Sequence, residues 1–436
     1  MHLHAPLPWW SGLPFLIFVC GLALLPGIFK HRWHTLEKPF SLCMGLFALV
    51  TVFTCFGPST ASAEVFETLA SEYIPFLSLI IALFMISSGV FVHIGGRPSY
   101  AHNAFFLLTG GILASLIGTT GASMLLICPF IRLNGERKHK PYLIIFFILI
   151  ISNIGGSLTP VGDPPLFMGF LNGVDFTWSL KALLSPYILT LSIVLGLFIL
   201  FEKIYAPHQS SILYSKRVHV KIFGKGNLVL IALLPLLLIF CEQLDTMVIV
   251  KGLMLNDMIR TLLLLALTYF SYRHTPKKIY QKNHFTSAPL KEVAMVFCVI
   301  FIALIPVIHM LKTHSGLFGN LIQFTSPLGY PDPLRYFWST GVFSAFLDNA
   351  PTYLVFFHAA GGNADHLMGP LKPTLMAISL GSVYMGALTY IGNAPNLMVK
   401  SIAQQKGIPM PSFIHYFLIS FLILLPSFLL LSYIYF

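Results

Sequence analysis

Apolar runs of about 20 residues, the length that crosses a bilayer core, recur from one end of this 436-residue chain to the other. They leave no room for a separate soluble domain of ordinary size, so residues 1–436 are expected to form a single membrane domain. Hydropathy places full spans near 11–29, 40–57, 75–94, 142–171, 182–201, 227–241, 258–272, 293–311, 374–403 and 413–435. The expected fold class is therefore an all-α polytopic membrane protein with about ten spans. Only 9% of residues are charged, against roughly 25% in a soluble domain.

Two further apolar stretches, 104–131 and 333–360, are interrupted at Gly118-Thr119-Thr120-Gly121 and at Asp348-Asn349-Ala350-Pro351. Charge placement chooses between kinked crossings and re-entrant hairpins. If both stretches return to the side they entered, 20 of the 26 Lys and Arg residues fall on one face, as the positive-inside rule requires. That reading puts both termini and the acidic loop of Glu64, Glu67 and Glu72 outside a plasma (inner) membrane. It makes 104–131 enter from the cytoplasm and 333–360 from the opposite face. Hairpin backbone at membrane depth needs protein or a water-filled cavity to satisfy its amides, so a central polar cavity is expected.

The net charge of +11 sits in the loops between spans and forms no compact basic motif, which argues for orientation in a bilayer and against nucleic acid. Cys20, Cys43, Cys55, Cys128, Cys241 and Cys298 lie in apolar segments without CxxC spacing, so neither a disulfide framework nor a zinc site is expected. The first apolar stretch starts near Trp9 without a basic region before it, which suits a retained first helix with Trp9-Trp10 as an interfacial anchor. No HExxH or GxSxG motif suggests an enzyme.

A short self-match organises the rest. Gly156-Ser-Leu-Thr-Pro-Val-Gly-Asp-Pro-Pro165 lies over Gly386-Ala-Leu-Thr-Tyr-Ile-Gly-Asn-Ala-Pro395 at an offset of 230. At an offset of 229 the first break falls on the second, with Thr119-Thr120 over Asp348-Asn349 and Ser123 over Thr352. An odd number of crossings between the copies gives an inverted repeat: 40–201 as the first repeat, 202–292 as basic loops and linking spans, and 293–436 as the second repeat.

Proline removes amide donors and glycine permits unusual dihedrals, so Gly162, Pro164 and Pro165 must unwind one helix, and Gly392 and Pro395 its partner. Unwinding frees carbonyls and exposes half-helix ends, which can hold a dehydrated cation or an anionic headgroup. Asp163 and Asp348 are the acidic residues placed deep in membrane segments, where an ionised Asp costs on the order of 2.5–3.5 kcal/mol and is usually kept for a pathway. Each could instead cap a half-helix. Thr159 with Thr119 and Thr120 would complete one half of an ion site, and Asn349, Thr389, Asn393 and Asn396 the other. Buried threonines often bond back to their own helix, and Ser152 and Asn153 could equally be packing residues. His93 and His309 lie near span ends and are expected at the interface.

Ser152-Asn-Ile-Gly-Gly-Ser-Leu-Thr-Pro-Val-Gly-Asp-Pro-Pro165 and Leu347-Asp-Asn-Ala-Pro-Thr352 resemble the ion transporter superfamily. It includes NhaD-type sodium/proton antiporters, arsenite pump membrane subunits, and citrate and other carboxylate transporters. The resemblance implies secondary transport by alternating access, with hairpins moving against a scaffold, and it fits a homodimer. Carboxylate carriers of the superfamily often read Thr-Pro-x-Gly-Thr-Pro-Pro-Asn at the unwound helix. Here Asp163 replaces the Thr and Leu166 the Asn, which favours a cation and a proton over an organic anion. The expectation is a Na⁺/H⁺ antiporter without cofactor or resident metal, its partners being the bilayer and the transported Na⁺ and H⁺. The alternative is a Na⁺- or H⁺-coupled citrate or dicarboxylate transporter.

Overall fold

A computed structural model describes the chain apart from residues 1–6, 30–31, 97–98, 206–218, 245–247, 251–252, 284, 314, 317 and 319–330. Lys30, Arg97 and much of the basic stretch 202–226 lie outside the described residues. The described chain is helical throughout except for two small antiparallel sheets: β1 (Phe91–Gly95) with β2 (His219–Phe223), and β3 (Val248–Val250) with β4 (Leu253–Met254).

Among the described residues, eight helices are long and apolar enough to cross a membrane: Thr35–Phe56, Pro58–Ser88, Tyr100–Ile117, Pro141–Leu158, Phe176–Tyr205, Lys225–Glu242, Leu290–Lys312 and Phe413–Tyr435. Of the ten spans expected from hydropathy, 11–29, 258–272 and 374–403 have no counterpart among these eight, while Tyr100–Ile117, in the stretch expected as a re-entrant hairpin, is long and apolar enough to qualify; the differences have local causes. The apolar helix Trp9–Leu25 is shorter than a full span. Helix Leu255–His274 exists, but Asp257, Arg260 and Arg273 make it too polar to qualify. The stretch read as 75–94 stops being helical at Ser88, because 91–95 pairs with β2 as a strand. Upstream it continues through a π-turn at Leu69–Tyr73 into Pro58–Thr68.

Both self-matching segments are interrupted helices. The first runs as Pro141–Ile150, a 3₁₀ turn at Ile154–Leu158, an extended break, and Pro164–Leu171. The second runs as Lys372–Met385, a 3₁₀ turn at Gly386–Leu388, a break, and Ala394–Gln405. Backbone angles repeat closely: Asp163 (φ −146°, ψ 143°) against Asn393 (φ −150°, ψ 135°), and Thr159 (ψ 156°) against Thr389 (ψ 165°). Each break crosses back over its own 3₁₀ turn so tightly that a Cβ on Gly162 would lie 2.2 Å from the Gly156 carbonyl, and one on Gly392 2.6 Å from that of Gly386. Only glycine fits either crossing.

The interrupted stretches 104–131 and 333–360 form two helix pairs. The first is Tyr100–Ile117 and Thr119–Leu133, separated by Gly118 at φ 78°. The second is Pro333–Phe346 and Asn349–Ala359, separated by Leu347 and Asp348 in extended conformation. Helix Thr119–Leu133 packs on Ala394–Gln405, and Asn349–Ala359 packs on Pro164–Leu171, so each pair touches the other segment's broken helix. The window Pro141–Leu158 is 94% buried, against 28% for Lys225–Glu242. The broken helices are thus core, and lipid-length spans surround them.

Candidate substrate and ion site

Four helices begin around one cavity of about 420 Å³: Thr119–Leu133, Pro164–Leu171, Asn349–Ala359 and Ala394–Gln405. Their first residues or caps, Gly118 to Gly121, Asp163 with Pro164, Asp348, and Asn393 with Ala394, line it. Each helix start carries partial positive charge, so the four ends together favour an anion through their dipoles, while Pro164, Pro165, Pro351 and Pro395 reduce the number of first-turn amides that could donate to one. The ionisable side chains on the lining pull the other way. They are Glu37, Asp163, Glu292 and Asp348, and among the described residues no Lys or Arg joins them. Phe76, Leu79, Ile80 and Phe297 supply an apolar wall.

Asp163 stands at the centre and is 1% exposed. Its Oδ1 accepts from Thr119 Oγ1 at 2.6 Å and from Asn393 Nδ2 at 3.3 Å, and its Oδ2 accepts from Asn349 Nδ2 at 2.5 Å. Each broken helix and each helix pair therefore contributes one group. The Thr119 amide also donates to the Gly162 carbonyl at 2.8 Å, tying the first pair to the break. Among the described residues, three donors hold this buried carboxylate and no cationic side chain pairs with it.

The helix starts revise the register of the sequence self-match. Thr119 and Asn349 both open the second helix of their pair, an offset of 230 and not the expected 229. One offset now relates both motifs, and it pairs the two residues that hold opposite oxygens of Asp163.

The remaining candidate residues divide by where they point. Thr120 lines the cavity. Asp348 also lines it while accepting from the Ala350 amide at 3.2 Å, so it caps its helix and faces the site at once. Thr159 and Thr389 turn away: their hydroxyls donate to the carbonyls of Ser115 and Ala345, each at 2.5 Å. Both bonds clamp a break to the first helix of its own pair. Asn396 donates to the Gly386 and Thr389 carbonyls at 2.9 Å, holding the second break open from behind. Gly162 and Pro164 reach the lining, whereas Pro165, Gly392 and Pro395 are buried behind it.

Three residues gain weight from the fold. Asn153 donates to Asn396 Oδ1 at 2.7 Å and accepts from Asn393 Nδ2 at 3.2 Å, joining the two broken helices. Glu37 and Glu292 come to the cavity from the second turns of helices Trp33–Phe56 and Ala288–Lys312. Position beside a helix start was their only signal, and it carries little. His93 lies in β1, with its Nδ1 3.3 Å from Arg132.

The family model described as putative citrate transport matches residues 4–436. The chain belongs to that family. It is a transport protein of the membrane and not an enzyme. No curated protein matches it. The family stands closer to the carboxylate alternative than to the sodium/proton antiporter that the Asp163 motif suggested.

Proposed function

We propose that the protein is a secondary active transporter moving a di- or tricarboxylate such as citrate, coupled to Na⁺ or H⁺, by alternating access. The observation that carries this reading is the convergence of four helix N-termini on a cavity whose ionisable lining is wholly acidic. Helix starts receive carboxylate oxygens, and Thr120 and Ala394 are the residues at two of these starts that reach the lining without being buried. Citrate near neutral pH is a trianion and cannot enter beside Asp163 and Asp348 unless cations or protons enter too, because like charges close together in a poorly screened site repel strongly. Coupling is then an electrostatic condition of binding. Family membership supports the cargo class. We read the two helix pairs as re-entrant hairpins of an inverted repeat, whose movement would carry the site between faces.

Cation/proton antiport is the second reading, favoured by the four lining carboxylates. Proteoliposomes decide between them. Labelled citrate should accumulate when a Na⁺ gradient or ΔpH is imposed and stop when both collapse. Cation-dependent ΔpH dissipation without any carboxylate uptake would overturn the carboxylate reading in favour of antiport.

A further inference from the structure

We infer that the ribbon of β1 and β2 is a docking surface for the headgroup of an anionic phospholipid, at the base of the first helix pair. The ribbon sits where membrane-length helices end. Gly89 and Val90 alone separate the span Pro58–Ser88 from β1, and Gly224 alone separates β2 from the span Lys225–Glu242. That is the depth of the headgroup layer.

The strands pair Phe91 with Phe223, Val92 with Ile222, His93 with Lys221, Ile94 with Val220 and Gly95 with His219. Side chains alternate between the faces of a strand, and here the alternation divides the ribbon by polarity. One face is apolar. Val92 and Ile94 are buried where β1 packs on Thr119–Leu133, while Val220 and Ile222 of β2 are 55% and 37% exposed. Exposed aliphatic groups at the bilayer surface enter the boundary with the acyl chains.

The other face is basic. His93 and Lys221 are cross-strand neighbours, and the rings of His93 and His219 lie 6.4 Å apart. His219 lies so close against Gly95 that a Cβ there would meet its ring at 2.6 Å. Lys282 Nζ stands 5.3 Å and 5.2 Å from the ring centroids of Phe91 and Phe223. Arg132, in the last turn of Thr119–Leu133, brings its Nη1 to 3.3 Å from His93 Nδ1. Neither strand carries an acid, and among the described residues no ion pair involves Lys221 or Lys282. Positions two apart on a strand are separated by about 7 Å, so Lys282 over Phe223 and Lys221 on its flexible stem can meet one phosphate together.

Cations on one face and exposed aliphatic groups on the other fit a lipid, which offers both an anion and acyl chains, better than free phosphate, which offers only the anion. Through β1 and Arg132 the lipid bears on Thr119–Leu133, the helix whose first residue donates to Asp163.

The docking surface is independent of the cargo, and it is tested without transport. The apparent Tm of the full-length protein in detergent micelles is followed against added phosphatidylglycerol, phosphatidylcholine or inorganic phosphate. We expect phosphatidylglycerol to raise it by about 3 °C and the other two to leave it unchanged. Lys221→Gln/Lys282→Gln should need about thirtyfold more phosphatidylglycerol for the half-maximal rise. Lys138→Gln/Lys406→Gln, which removes two exposed lysines elsewhere, should respond as wild type does. Equal weakening in both double variants would reduce the effect to diffuse surface charge and overturn the site. A rise with inorganic phosphate equal to that with phosphatidylglycerol would overturn the lipid as occupant, and no rise with phosphatidylglycerol would overturn both. Should Lys221→Gln/Lys282→Gln be unstable before lipid is added, Val220→Asp at its exposed position decides: a response like that of wild type refutes docking, and a weakened one supports it.

Discussion

The two copies of the broken-helix motif share a backbone and differ in charge. Asp163 and Asn393 take the same extended cap, and Thr159 and Thr389 clamp matched neighbours, the carbonyls of Ser115 and Ala345. Yet one cap is an acid and the other its amide, and Asn393 donates to Asp163. The contrast extends to the ends of the copies. At the end of the first, Arg137 donates to Glu202 at 2.6 Å inside a buried network with Asn103, Asn134 and Tyr142. At the same offset in the second stand Leu367, buried and apolar, and Ser432, which accepts from Trp338 Nε1 at 3.0 Å. At these matched positions the first segment is thus charged and the second neutral, although Asp348 brings an acid to the cavity from the second helix pair. One carboxylate held by groups from both copies can bind one cation or proton, whereas two facing acids would repel or share a proton.

The buried ion pair is where breaking this contrast should cost most. Glu202→Gln leaves Arg137 charged and without its carboxylate, and Arg137→Met does the converse. Either should lose about 3–5 kcal/mol of stability, seen as a large fall in apparent Tm in detergent. The double variant Arg137→Met/Glu202→Met should recover much of it, since an apolar pair of similar volume is often neutral. A double variant no better than the worse single would show that charge is not what holds that end.

Next in size is the central carboxylate. Asp163→Asn keeps shape but makes both caps neutral, and cation-coupled uptake should fall by at least about 100-fold, roughly 2.7 kcal/mol of barrier. Asn393→Asp makes both caps acidic within hydrogen-bond reach of each other, and uptake should fall similarly through repulsion. Combining them transposes the charge. Partial return of uptake in Asp163→Asn/Asn393→Asp would mean the frames are interchangeable, and none would mean that Thr119 and Asn349 recognise only the first copy.

Much of this contrast is legible in the sequence. Prolines and glycines mark the breaks because they remove a donor and permit a crossing, and the Asp-for-Asn exchange is visible once the copies are aligned. What cannot be read is where a side chain turns. Thr159 and Thr389 look like ligands beside Thr119 and Thr120, but their hydroxyls are spent on neighbouring carbonyls, a choice made by tertiary packing. The hairpin offset expected from sequence differs by one residue because Asp348 caps its helix where Gly118 does so in the first pair, and a glycine cap and an acidic cap share no side-chain signature. Strand β1 was hidden inside a hydropathy run, because its partner lies more than a hundred residues downstream.

A smaller effect is expected where the second copy reaches across to the first. Asn349→Ala removes the only donor described on Asp163 Oδ2, leaving a buried acceptor unpaired, and should cost about 1.5–3 kcal/mol. Because Thr119 and Asn393 still hold Oδ1, uptake should weaken and not vanish. Thermal unfolding with uptake measured on the same preparation separates the two losses.

The smallest effect belongs to the neutral end of the second copy. Ser432→Ala removes the acceptor from Trp338 Nε1 in a partly buried contact between uncharged groups, so the loss should be about 0.5–1.5 kcal/mol. Its value lies in the ratio to Glu202→Gln, the change at the equivalent position of the first copy. If the copies differ chiefly in charge, Ser432→Ala should lower the apparent Tm by a third or less of the fall seen with Glu202→Gln. Equal falls would mean that both ends depend on one clasp of whatever polarity. The charge of the first copy would then matter at Asp163 alone.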